Sequence, residues 1–186
     1  MDARRESEPS PVKNPTTVER TSEREFVVTR TFNAPARLVY DAWTKPELLM
    51  LWWAPKSIGM SLLSCEADVR VGGRYRFVFG HDASQTMAFV GRYIEVTPHA
   101  RLVWTNEEGD GGEAVTTVTF EEKGGKTLLV LRERHPSKEA VDDAIGFGAG
   151  LRETFEQLDE LLVTLGASVA SHEGVDLGGR SQPGGA

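Results

Sequence analysis

Few residues in this chain are placed for chemistry. Glu133 and His135 stand two apart in LRERH at the end of an apolar run, so a strand there puts both on one face. If that face turns inward, Glu133 becomes a half-buried carboxylate with a raised pKa, able to act as an acid or base. On the rim it is instead half of a salt bridge with Arg132 or Arg134. Glu133 is the sole catalytic candidate, and a weak one. Cys65 lies in a strand-like run and reads as a small buried hydrophobe rather than a nucleophile. His81 and His99 fall in turns. No Ser/His/Asp arrangement and no Cys/His spacing of the zinc type stands out, so neither a metal nor a cofactor is expected.

Two further groups carry signal. The aromatic set Trp52, Trp53, Tyr75, Phe77, Phe79, Phe89, Tyr93, Trp104 and Phe155 has the composition of an apolar pocket wall. Trp53, Phe77, Phe79, Phe89, Tyr93, Trp104 and Phe155 are the expected ligand-binding residues. Gly146, Gly148 and Gly150 sit inside a helical pattern, where each costs roughly 1 kcal/mol against alanine. They follow no strand and lack the dinucleotide spacing, so a phosphate loop is excluded. Either the helix bends there and forms the gate of a cavity, or it simply starts later, near Leu151.

Those residues need a scaffold. The 186-residue chain is one domain's worth, with 39% hydrophobic and 26% charged residues and a net charge of −7. An acidic balance disfavours a phosphate-gripping nucleic-acid binder, and no apolar run approaches the roughly 20 residues of a membrane span. With no secretory h-region and a single cysteine, the expected location is cytoplasmic. Residues 1–24 and 167–186 read as flexible tails around a domain at 25–166.

Within the domain, Glu25–Phe32 reads as a strand, and Asn33 as an N-cap before Pro35. Short helices follow over Arg37–Trp43 and from Pro46 to Leu51. Six strand-like segments come next, near Met60–Val69, Arg74–Phe79, Ala88–Val96, Leu102–Thr105, Ala114–Glu121 and Thr127–Arg134, separated by short turns. After Ser137, an N-cap, apolar residues from Val141 to Leu165 fall in steps of three and four, predicting one long helix of roughly 40 Å. The expected fold class is α+β: a seven-stranded antiparallel sheet wrapped around that helix.

Asn33–Gly73 carries a resemblance. Its pieces are the Ala-Pro opening, Asp41-Ala42-Trp43-Thr44 with Pro46-Glu47, Trp52-Trp53 with Pro55, and Asp68-Val69-Arg70 before Gly72-Gly73. Gly91, Tyr93-Ile94-Glu95, Pro98, Arg101-Leu102-Val103 and the final helical stretch continue it. Over about 26–165 the chain resembles the activator-of-heat-shock-protein-90-ATPase-like group of the START/SRPBCC superfamily. That resemblance implies a helix-grip fold with a hydrophobic cavity between sheet and helix. It also implies ligands such as lipids, sterols or polyketides, with some relatives cyclising or dehydrating polyketides.

Three functions follow as expectations. The first is a non-enzymatic binder of a small hydrophobic or amphipathic molecule. The second is a cyclase, dehydratase or hydrolase using Glu133. The third is an interaction protein with a chaperone partner, which predicts a full core and an exposed apolar patch. Uncovered edge strands leave a homodimer open.

Overall fold

The structure is a computed structural model that describes residues 14–108, 112–146 and 148–175. Eight strands form one antiparallel sheet: β1 Thr17–Ser22, β2 Glu25–Phe32, β3 Ser61–Ala67, β4 Arg74–Asp82, β5 Gln85–Thr97, β6 Arg101–Glu108, β7 Gly112–Lys123 and β8 Lys126–Arg134. Their order is β1-β2-β8-β7-β6-β5-β4-β3, so only the β2–β8 pair joins strands distant in the chain. Helices α1 (Ala36–Thr44) and α2 (Pro46–Trp52) follow β2, and a 3-10 turn at Lys56–Ile58 leads into β3. Helices α3 (Lys138–Gly146) and α4 (Gly148–Val175) come last. The α+β helix-grip class expected from the sequence is the class observed.

Three details differ from expectation. The sheet has eight strands rather than seven, because Thr17–Ser22, read as tail, pairs with β2 from Thr17↔Thr29 to Ser22↔Glu25. TVERTS offers one apolar residue and no alternation, and its side chains are nearly all exposed. Backbone pairing at a sheet edge satisfies N–H and C=O groups without requiring a hydrophobic pattern. Of the two expected tails, 1–13 and 176–186 lie outside the described residues.

The second difference is the final helix, which is two helices rather than one. Their junction, residue 147, lies outside the described residues, and α4 runs on to Val175. Ser137 does act as a cap: its Oγ accepts from the Ala140 N–H at 3.2 Å. The third concerns α1. Its N-cap position is Pro35, not Asn33, and the free Ala36 N–H donates to the Glu122 carboxylate of β7 at 2.7 Å. A carboxylate from a distant strand therefore does the capping, which local sequence cannot reveal.

The core lies between the inner face of β2, β8 and β7 and helices α1 and α4. Val28, Phe32, Val118, Leu129, Phe155 and Leu158 are all fully buried there. Phe155 meets Phe32 edge-on at 5.5 Å. Arg30, in line with the buried residues of β2, is also inside the protein. Its guanidinium pairs with Asp159 of α4 and donates to Thr16 Oγ at 2.7 Å. That pair ties sheet to helix through an otherwise apolar layer. Among the described residues no helix is long and apolar enough to cross a membrane.

Candidate functional site

Strand β4 alternates as its sequence indicates, with Tyr75, Phe77 and Phe79 buried and Arg74 and Arg76 exposed. Across the ladder Phe77 faces Phe89 and Tyr93 faces Trp104, so these rings share the inner face of the sheet. Helix α1 adds Trp43 and α2 adds Leu49, with Trp53 just beyond its end. Trp43, Leu49, Trp53, Tyr75, Phe77, Tyr93 and Trp104 together line a cavity. Its volume is about 10 Å³, the space of about one water molecule. The rings close it largely on each other: Trp43 lies 5.0 Å from Trp53 and 6.0 Å from Trp104, and Tyr75 lies 4.9 Å from Phe77. Several of these meet edge to face, the arrangement the ring quadrupole favours.

Four of the seven residues read from sequence as ligand-binding meet at this cavity: Trp53, Phe77, Tyr93 and Trp104. The other three lie elsewhere. Phe79 and Phe89 pair edge-on at 5.4 Å further along β4 and β5, where Phe89 is 36% exposed. Phe155 is sealed in the core against Phe32, Trp43 and Trp52. Strand alternation predicts which face a side chain takes, but not which helix covers it. Trp43 and Leu49 were not expected at a pocket, because on short helices they read as ordinary packing.

One wall of the cavity is held by a residue no motif announces. Gln157 of α4 donates from Nε2 to the carbonyls of Trp52 and Ala54 at 3.0 and 2.8 Å, and its Oε1 accepts from the Lys56 N–H at 3.0 Å. Trp53, half-buried, sits in the middle of that clamp. One turn earlier Glu153 accepts from the Ser57 N–H at 2.7 Å and from its hydroxyl. Those bonds hold the Glu153 carboxyl below its ordinary range. Opposite, the Tyr75 hydroxyl is shared between the Thr105 carbonyl at 2.7 Å and Asn106 Oδ1, and Asn106 Nδ2 donates to Thr116 Oγ at 3.3 Å. Gly91 makes that contact available: a Cβ there would lie 1.7 Å from the Thr105 carbonyl oxygen and 2.7 Å from the Tyr75 hydroxyl.

Burial sets the local acid–base behaviour. It pushes the Tyr93 phenol well above its ordinary range, and the Cys65 thiol up to about 11 with Glu47 and Glu66 adding to the effect. At neutral pH both keep their protons, so Cys65 is not an activated nucleophile. Glu133 lies on the inner face, opposite Thr116 and Phe26 in the ladder. Its carboxylate is 2.9 Å from Nε2 of buried His135. Of the two arginines expected as partners, Arg132 and Arg134, the first pairs with Glu25 instead, at 2.6 Å.

Exposed arginines on the neighbouring strands and turn also carry carboxylate partners: Arg74 meets Glu107, Arg92 meets Glu113 and Arg70 meets Asp68.

The glycines fall at the junction of α3 and α4: Gly146 ends one helix and Gly148 begins the other. A Cβ on Gly146 would meet nothing, and one on Gly150 would make ordinary contact with Pro55 at 3.5 Å. Close approach therefore does not explain these two glycines. A division between helices does. The side of Gly148 lies outside the described residues.

With that geometry in hand, the chain can be set beside known proteins. The family described as Activator of Hsp90 ATPase homolog 1-like protein matches residues 33–163. A crystal structure from Nitrosomonas europaea is 27% identical, superposes with a TM-score of 0.69, and is covered over 98% of its length by 78% of this chain. A solution structure from Staphylococcus epidermidis is also 27% identical, with a TM-score of 0.65 over 80% of this chain and 94% of that one. A Rhodobacter sphaeroides structure, 24% identical with a TM-score of 0.75 over 81% of this chain and 99% of its own, shares the fold. No curated protein matches the chain.

Proposed function

We propose, on the premise that this chain belongs to the Activator of Hsp90 ATPase homolog 1-like family, that it holds a small apolar or amphipathic molecule between its sheet and its helices. The observation that carries this reading is a cavity lined by six aromatic residues and a leucine, with no charged side chain among them. Such lining suits an apolar guest, whose transfer from water is favourable by roughly 25 cal/mol per Å².

At its present volume the cavity holds no such guest, so binding requires opening. Trp53 is the wall residue we assign to yield, being half-buried in a chain segment held to α4 through Gln157 and Glu153. Gly146, Gly148 and Gly150 form the gate beside it, where two helices meet rather than one continuing. An open state populated a few per cent of the time weakens apparent affinity by the same factor, and a guest that binds only that state draws the population to it.

Docking on a partner protein, such as a chaperone, is the second reading. It is favoured by the nearly full core and by Met50 and Leu51, exposed next to each other on α2.

Native mass spectrometry of the full chain, followed by denaturing extraction, separates the two. A discrete added mass released on denaturation is the expected result. A protein that carries no added mass, and that fails to bind the neutral probe N-phenyl-1-naphthylamine, overturns the cavity reading and leaves docking. Stimulation of a chaperone ATPase by this chain then becomes the assay.

A further inference from the structure

Among the residues lining the cavity, one fully enclosed donor has no acceptor. The Trp43 indole N–H is fully enclosed in a residue only 3% exposed, and it meets no hydrogen-bond partner among the described residues. Its neighbour Trp52 shows the contrast: that indole donates to the Ala42 carbonyl at 2.9 Å. A buried donor left unmade has lost its bond to water and gained none in return, and native proteins seldom tolerate that without a reason. Trp43 is among the residues that line the cavity. Five other aromatic rings pack around it at 5.0–6.3 Å, offering ring faces and edges but no strong acceptor.

We propose that the Trp43 indole N–H is the recognition donor of this cavity, and that its guest is a neutral apolar molecule presenting one carbonyl, ether or hydroxyl oxygen to it. This rests on the cavity reading above and sharpens it. A bare hydrocarbon would leave the N–H unpaired in the bound state. A carboxylate or ammonium would have to leave water for a cavity whose lining holds no opposite charge, a transfer that is strongly unfavourable. A neutral oxygen satisfies the donor without bringing a charge. Flat rings suit the remaining surface, since stacked and edge-on contacts with Trp53, Phe77 and Trp104 are then open to the guest.

Indan-1-one and indane are a matched pair of probes, alike in shape and differing in one carbonyl. Their dissociation constants are measured on the full chain and on Trp43→Phe, which keeps an aromatic ring and removes the N–H. The preference for indan-1-one over indane is expected to be at least about tenfold larger in the original chain than in Trp43→Phe. Taking the ratio between proteins cancels the different solubilities of the two probes.

A second readout does not depend on the variant folding. The chain has four tryptophans, and in a ¹H–¹⁵N spectrum the Trp43 indole proton should move downfield with indan-1-one and not with indane. Single Phe replacements at Trp52, Trp53 and Trp104 assign its signal by elimination. Equal preference in both proteins, with an unmoved Trp43 signal, overturns the donor assignment while leaving the cavity reading intact. If neither probe binds at millimolar concentration, the cavity reading fails and this inference falls with it.

Discussion

The inner face of the sheet has two halves built from similar residues and finished differently. On β2, β8 and β7 the rings and aliphatic chains lie under α4 and are sealed, as with Phe32, Val118, Leu129 and Phe155. On β4 and β5 the same face carries Phe77, Phe79, Phe89 and Met87, yet exposure climbs along it until Met87 reaches 52%. The difference teaches that an inward aromatic is a core residue or a site residue according to what covers it. In the sealed half the cover includes α4, tied to β2 by the Arg30–Asp159 pair. In the open half it is Trp53, whose flanking backbone groups bond Gln157, and the proposed function has that cover lift.

The largest test of this contrast compares two phenylalanines. Phe155→Ala should cost about 3–5 kcal/mol of unfolding free energy, the usual cost of a cavity in a packed core, whereas Phe89→Ala should cost under about 1 kcal/mol. Equal losses in chemical denaturation would erase the distinction between the halves. Next comes the lock. Asp159→Ala leaves the Arg30 guanidinium buried without its counter-charge and should destabilise by about 3 kcal/mol. A loss below about 1 kcal/mol would show that water reaches Arg30 and that this half is not sealed.

Glycines sharpen the comparison through opposite signs. Gly91→Ala drives a methyl into the Thr105 carbonyl and should cost about 1–3 kcal/mol. Gly146→Ala with Gly150→Ala should instead stabilise by about 1–2 kcal/mol, because both sites have room. If the gate lies there, the same double variant takes up the neutral probe N-phenyl-1-naphthylamine more slowly in stopped flow. Gln157→Ala removes three bonds to the Trp53 segment, costs about 1–2 kcal/mol, and should speed that uptake.

The smallest effect is alkaline. Burial raises the Tyr93 pKa above its ordinary value, so below about pH 10 the phenol is neutral in folded and unfolded chains alike and its contribution is intact. Above that, the unfolded chain releases the proton while the folded one retains it, and stability falls as pH rises. Tyr93→Phe has no proton to release and should flatten that alkaline decline in a pH series of melting temperatures.

Much of the site's parts list was legible in the chain and its assembly was not. Alternation in β4 put Tyr75, Phe77 and Phe79 on one face, and the structure agrees. Nothing local separates Phe77, which lines the cavity, from Phe79, which does not, because the separation comes from Trp53 folding over one and not the other. Trp43 and Leu49 gave no signal, since a helix's buried stripe looks the same whether it meets a solid core or a cavity. Thr17–Ser22 was unreadable as a strand because edge pairing is made by backbone atoms.

Sequence alone determined the order of elements from Glu25 onward, the inward and outward faces of the strands, and the glycines at 146, 148 and 150 as the place where the final helix bends or begins. All of these are written in spacings of two, three and four residues and in the conformational cost of glycine. Tertiary structure decided which aromatic rings meet, that Glu122 caps α1, that Gln157 holds the segment around Trp53, and that the Trp43 N–H has no acceptor among the described residues. Those outcomes depend on contacts between residues tens of positions apart, and short-range periodicity carries no record of them.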